Sequence, residues 1–156
     1  MKHIIYTDGG SRGNPGPSAI GVVIINEKGP PSSATEGFGE ASEPIKKYSE
    51  AIGEATNNEA EYQAVIFALK KFKALFGKEE AKKSNIEIRL DSELVANQLN
   101  HEYKIEEPNI QKLFLKVWNL MLDFGTIKFK AISREENKEA DRLVNEALDK
   151  KQEKMF

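Results

Sequence analysis

The stretch HIIYTDGGSRGNPGPSAIGVVIIN, residues 3–26, constrains the fold more than any other part of the chain. Residues 3–7 (HIIYT) and 19–26 (AIGVVIIN) are short apolar runs bounded by turn residues, which reads as two strands. Between them lies a loop of glycines and prolines led by Asp8, with five glycines from Gly9 to Gly21. Strand, loop and strand make a hairpin. Residues 27–43 read as a surface connection rich in Gly, Pro, Ser and Glu, and the run from Ile45 to Ala55 is a candidate third strand with poor alternation.

From there helical and extended patterns alternate. Thr56-Asn57-Asn58 offers cap residues before a helix over 59–76. A strand is predicted over 86–90 (IEIRL), a short helix from Leu94 to Leu99, and a helix over 109–123 behind Pro108. That helix carries Ile110, Leu113, Phe114, Val117 and Leu120 on one face. Strand 126–132 and a helix from about Asn137 to Leu148 complete the chain. Three early strands followed by this alternation predict a mixed-sheet α/β domain, one domain over residues 1–156.

Composition narrows the class. With 39% hydrophobic and 31% charged residues and no apolar run near the roughly 18 a membrane helix needs, no membrane association is expected. The start, MKHIIYTDGG, lacks a secretory signal's apolar core, and the absence of cysteine removes disulfides, thiolate zinc sites and thiol nucleophiles. A cytoplasmic, monomeric protein is the expectation. The net charge of −2 argues against a general nucleic-acid coat protein but leaves room for a nucleic-acid enzyme with an acidic metal site.

Four acids stand where structure alone does not ask for them. Asp8 and Asp91 each follow a predicted strand, at the edge where open α/β sheets bind ligands. The bland role there is turn former or helix cap. Glu61 aligns with Val65, Ala68 and Phe72 and so heads the buried stripe of its helix, whereas Glu59 aligns mainly with Gln63, Lys70 and Lys73 and is expected to face water. A carboxylate on an apolar stripe is costly unless paired, hydrogen-bonded or metal-bound. Asp141 borders the stripe Ala140, Leu143, Val144, Ala147 and Leu148 in the last helix. For both helical acids, stabilisation by the helix dipole is the competing explanation. Clustered carboxylates need protons or cations. An all-oxygen set suits Mg²⁺ or Mn²⁺, and two such ions about 3.5–4 Å apart can activate water and stabilise a leaving oxygen in phosphodiester cleavage.

The loop GGSRGNPG is not a nucleotide-phosphate loop, because no Lys-Ser/Thr follows it and a strand, not a helix, comes next. Glycines let a polymer approach the backbone, and backbone donors and acceptors can read a ribose 2′-OH without reading bases. The plain alternative is a tight hairpin. Thr56, Asn57 and Asn58 add polar groups that can cap a helix, contact a ligand, or both.

The ordered set Thr7-Asp8-Gly9-Gly10, Gly13-Asn14-Pro15-Gly16-Pro17, Thr56-Asn57-Asn58-Glu59-Ala60-Glu61, Asp91-Ser92 and Asn137-Lys138-Glu139-Ala140-Asp141 resembles type 1 ribonuclease H, above all its short archaeal and bacterial members. The resemblance spans nearly the whole chain. It implies an RNase H-like fold, a five-stranded mixed β-sheet flanked by α-helices. It also implies two-metal endonucleolytic cleavage of the RNA strand of RNA/DNA hybrids, leaving 5′-phosphate and 3′-hydroxyl ends. Asp8, Glu61, Asp91 and Asp141 fall on the family's metal-binding acids. Gly9, Gly10, Ser11, Asn14, Asn57 and Asn58 fall on or beside positions that touch the hybrid, Thr56 near a DNA-strand phosphate, and Ser92 after the third acid. Activity on double-stranded RNA is left open, as are a DNA-directed chemistry on the same fold and a non-catalytic hybrid-binding module.

Two departures stand out. Many family members carry a histidine in the loop before the last acid, but here it reads Ile132-Ser133-Arg134-Glu135-Glu136. Arg134 can hold a phosphate but cannot act as a base near neutral pH, so slower turnover than in histidine-bearing relatives is expected. Between Gln98 and Gly125 there is room for only one clear helix, so the basic handle of longer relatives is missing. Modest, steeply salt-dependent affinity follows.

Overall fold

A computed structural model describes residues 2–26 and 44–154. The connection 27–43, for which the sequence offers no role, lies outside the described residues. Five strands, β1 (Lys2–Ser11), β2 (Gly16–Asn26), β3 (Pro44–Ala55), β4 (Asn85–Leu90) and β5 (Thr126–Ala131), form one sheet in the order β3-β2-β1-β4-β5. β1, β2 and β3 pair antiparallel, while β1, β4 and β5 run parallel. The predicted five-stranded mixed sheet is therefore the observed one.

Five helices complete the described fold: α1 (Asn57–Phe76), α2 (Lys78–Lys83), α3 (Glu93–Leu99), α4 (Pro108–Met121) and α5 (Lys138–Lys154). A 3₁₀ turn over Arg134–Asn137 leads into α5. α1 starts two residues earlier than its apolar pattern suggests because Thr56 caps it. The Thr56 hydroxyl accepts from the Glu59 N–H at 3.1 Å, and Glu59 Oε1 accepts from the Thr56 N–H at 2.8 Å. Glu59 is thus a half-buried capping residue and not the water-facing one its alignment suggests. The six-residue α2 is missed in the sequence because it buries only Ala81 and so leaves no apolar period.

The register of the two central parallel strands positions the acids. Ile5 lies opposite Ile88 and Tyr6 opposite Arg89, so Asp8 and Asp91, each two residues further on, leave the same sheet edge at the same level. Burial beneath them is complete: Ile5, Ile88, Leu90, Val65, Leu69 and Phe72 share one core. α1 covers one face of the sheet, and α5 covers β2 and β3 on the other through Ala19, Val144, Ala147 and Leu148.

Two glycines set how closely those helices approach. A Cβ on Gly9 would lie 2.2 Å from the Ala60 carbonyl, and one on Gly21 would lie 2.2 Å from the Ala140 oxygen and 2.9 Å from Leu143 Cβ. Ala60 immediately precedes Glu61, and Ala140 immediately precedes Asp141. Gly21 also stands opposite Asp8 in the β1–β2 ladder. Each glycine therefore lets a helix set its acid against the end of β1. Gly21→Ala is expected to cost about 1–3 kcal/mol by overpacking against helix backbone, seen as a fall of several degrees in the thermal midpoint. An unchanged midpoint would show that α5 does not depend on this approach.

Candidate active site

Asp8, Glu61 and Asp91 each present a carboxylate oxygen to a common point, the three lying within 4.8 Å of one another. Asp8 and Glu61 are both only 7% exposed. Asp91 is half-buried, and Asp141 is exposed on α5 with its carboxyl within hydrogen-bonding reach of Asp8. The four sequence-predicted acids thus meet at one edge, three tightly and Asp141 flanking.

Neighbouring groups hold these side chains in place. The Gly9 N–H donates to Glu61 Oε1 at 2.9 Å. Asn137, 1% exposed, donates from Nδ2 to the Thr7 carbonyl at 2.9 Å and to Asp91 Oδ2 at 3.3 Å. It ties the end of β1, the third acid and the start of α5 together. Asn137 belongs to a motif quoted above but was given no role there. The signal was present, since Asn137, Ala140, Val144 and Leu148 follow helical spacing and all are buried. A polar residue heading an apolar stripe is the same anomaly that singles out Glu61.

Electrostatics follow from the burial. Burial first, then the Asp91 and Asp141 carboxylates, push the Asp8 pKa up to about 8. Burial, then Asp8 and Asp91, hold Glu61 well above the usual carboxylate range, with the Gly9 N–H and the Arg134 guanidinium pulling it down. Two buried carboxyls that resist ionisation beside a third are an all-oxygen donor set lacking compensating charge, and a hard divalent cation supplies it. The residues present fit such an ion, with Asp8, Glu61 and Asp91 as its holders.

The acids floor a groove of about 380 Å³. Gly9, Gly10, Ser11, Asn57, Ser92 and Arg134 of the predicted contact set also line it, whereas Asn14, Thr56 and Asn58 do not. Asn14 acts one step back: its Oδ1 accepts from the Asn57 N–H at 3.1 Å, while Asn57 Oδ1 accepts from the Ser11 N–H at 2.9 Å. These reciprocal bonds lock the hairpin loop to the first turn of α1. Asn58 lies in that first turn, half-buried, and Ser92 caps α3 by accepting from the Val95 N–H at 3.2 Å. Because the Gly9 and Ser11 N–H groups are both committed inside the protein, this strand has fewer free donors for a ligand than its glycines suggest.

The family profile described as reverse transcriptase-like matches residues 6–147. LC11-RNase H1, isolated from compost and solved in complex with an RNA/DNA hybrid, superposes with a TM-score of 0.82 at 40% identity, over 96% of this chain and 99% of that one. This chain belongs to the ribonuclease H family. Ribonuclease HI of Halobacterium salinarum is 38% identical over 92% of this chain, and the RNase H1 crystal structure from that organism superposes with a TM-score of 0.81 at 34% identity, over 96% of this chain and 99% of that one. A bifunctional protein of Mycobacterium tuberculosis is 35% identical over 96% of this chain. The ribonuclease H-like chain spans 63% of the halobacterial protein's length and 36% of the mycobacterial one's. Among the described residues, no helix is long and apolar enough to cross a membrane.

Two outcomes are expected of this site. The Asp8 pKa is about 8 in the folded protein against 3.8 ordinarily, so the folded state keeps a proton that the unfolded chain releases. The associated stability is present at acid pH and is lost as pH rises through about 8. In EDTA, Asp8→Asn should therefore gain on the wild type between pH 5 and pH 8, by roughly 3–6 °C in thermal midpoint at the upper end. Parallel curves would contradict the coupling. Asn137→Ala, which strands the Thr7 carbonyl and frees Asp91, should cost about 1–3 kcal/mol in urea unfolding and weaken Mn²⁺ binding in calorimetry. Unaltered Mn²⁺ binding would limit Asn137 to a structural role.

Proposed function

We propose that this chain is one catalytic domain, a metal-dependent ribonuclease H that hydrolyses the RNA strand of RNA/DNA hybrids. The observation that carries the reading is the convergence of the Asp8, Glu61 and Asp91 carboxylates on one point at the floor of an open groove. A pure binding module gains nothing from carboxylates that repel phosphates. Membership of the ribonuclease H family, and a relative solved with a hybrid, favour hybrids over DNA duplexes as the substrate class.

In this reading Asp8, Glu61, Asp91 and Asp141 hold two Mg²⁺ or Mn²⁺ ions. Bound there, such ions supply an activated water and charge stabilisation for the leaving oxygen, which gives 5′-phosphate and 3′-hydroxyl ends. The protein's own residues do the positioning. The Gly9 N–H fixes one oxygen of Glu61, and Asn137 restrains Asp91. Asn57, whose Oδ1 is occupied by the Ser11 N–H, keeps its Nδ2 donor for the ribose of the RNA strand. The backbone of Gly10, which lines the groove, admits the sugar edge. Ser92 and Arg134 line the groove and hold adjoining backbone phosphates, while Thr56 at the head of α1 faces the DNA strand. Asn14 and Asn58 support that contact surface around Asn57.

The test is cleavage of an end-labelled hybrid in Mg²⁺ and in Mn²⁺, beside matched DNA and RNA duplexes. Asp8→Asn and Glu61→Gln are expected to lose at least roughly 10³-fold in kcat. Glu59→Gln, which preserves the capping box, should stay within about threefold. Hybrid binding without cleavage of any strand would favour the binding-module reading. Cleavage of DNA duplex in preference to hybrid would point to a DNA-directed chemistry.

A further inference from the structure

The β1–β2 loop carries a cation that none of the preceding assignments uses. Arg12 directly follows β1, and its backbone is fixed by an N–H donated to the Pro17 carbonyl at 2.8 Å. Its guanidinium reaches across to α5. Nη2 donates to Asp149 Oδ1 at 2.7 Å and to Asn145 Oδ1 at 3.4 Å, and Nη1 donates to Gln152 Oε1 at 3.0 Å. Arg12 also lines the same groove as the four acids.

Charge makes this position matter. Among the residues lining the groove, four are acids and two are cations, Arg12 and Arg134. Arg134 acts on Glu61 from the loop before α5, whereas Arg12 sits against α5 itself, beside Asn145. A polyanionic strand entering an acid-floored groove is repelled unless cations meet its phosphates. Among the described residues lining the groove, Arg12 is the cation on the α5 wall. Its present partner holds it loosely, because Arg12 and Asp149 side chains are 38% and 62% exposed and an ion pair in water is weak. A guanidinium fork accepts a phosphate as readily as a carboxylate.

We propose that Arg12 is a phosphate clamp for the nucleic-acid strand that passes the α5 side of the groove, with Asp149 holding the guanidinium in place until substrate displaces it. Asn145 and Gln152 are neutral acceptors that keep the fork extended along α5 during the exchange. That the nucleic acid is an RNA/DNA hybrid rests on the ribonuclease reading above. The competing explanation is that Arg12 is only a tie between the hairpin loop and α5. The two accounts give opposite signs for the loss of Asp149: a tie needs its carboxylate, and a clamp competes with it.

The experiment is fluorescence anisotropy of a short labelled RNA/DNA hybrid with Ca²⁺ supplying the divalent charge, over a series of KCl concentrations. Wild type, Arg12→Ala, Arg12→Lys and Asp149→Asn are compared, with thermal midpoints to show that each is folded. Arg12→Ala should weaken binding roughly 3–10-fold at low salt and make the log K against log[KCl] slope shallower by about one. Arg12→Lys should restore the slope but not all of the affinity. Asp149→Asn should bind as tightly as wild type or more tightly. Weaker binding in Asp149→Asn matching that of Arg12→Ala, or an unchanged slope in Arg12→Ala, overturns the clamp. Cleavage by wild type in Mg²⁺, run in parallel, reports separately on the ribonuclease reading. Its failure leaves the binding slopes to decide whether Arg12 meets a phosphate.

Discussion

The parallel pairing of β1 with β4 is the constraint on which the rest of the molecule depends. It delivers Asp8 and Asp91 to one sheet edge at one level, and nothing in local propensity asks for two carboxylates side by side. The helices then add to the charge: α1 brings Glu61 and α5 brings Asp141, each by way of a glycine in the first hairpin that leaves no room for a Cβ between strand and helix backbone. The glycines of the first hairpin therefore serve two ends. Gly9 and Gly21 serve packing between sheet and helices, while the groove uses the backbone of Gly10.

The energetic consequence is a site at odds with itself. Burial and mutual repulsion disfavour the ionised forms of Asp8 and Glu61, yet the Gly9 N–H, Asn137 and the capping box at Thr56 hold the surrounding groups rigidly in place. A rigid cluster of oxygens that cannot relax apart is preorganised for a cation, because the cost of gathering the ligands is met during folding. The hydrogen bonds between the Asn14–Asn57 pair and Ser11 extend that rigidity to the groove wall. Arg12 and Arg134, both exposed, are the cations at this groove's margins.

Much of this was legible in the sequence, and for physical reasons. Apolar runs broken by turn residues locate four of the five strands, the poorly alternating run Ile45–Ala55 is only a candidate for the fifth, and the stripe Val65, Ala68 and Phe72 selects Glu61 over Glu59, because helical spacing reports burial directly. Spacing does not report hydrogen bonds. Spacing alone turns Glu59 toward water, since its partner, the Thr56 N–H, contributes to no period. The short helix α2 has a single buried residue, too few to form a pattern. Asn137 lies just ahead of α5 in helical spacing with Ala140, Val144 and Leu148, which marks it as a buried polar group. Arg12 leaves no signal in the sequence because its partners lie more than 130 positions away, a pairing that only the packing of α5 on β2 creates.

The loop Ile132–Glu136, which carries no histidine, places Arg134 at the groove beside the acid cluster instead. The account thus depends on that cluster holding divalent cations. Anomalous scattering from crystals grown with Mn²⁺ tests this most directly. The account predicts a strong peak bounded by Asp8, Glu61 and Asp91, lost in crystals of Glu61→Gln or Asp91→Asn. A map with Mn²⁺ at other surface carboxylates and none between these three would contradict it.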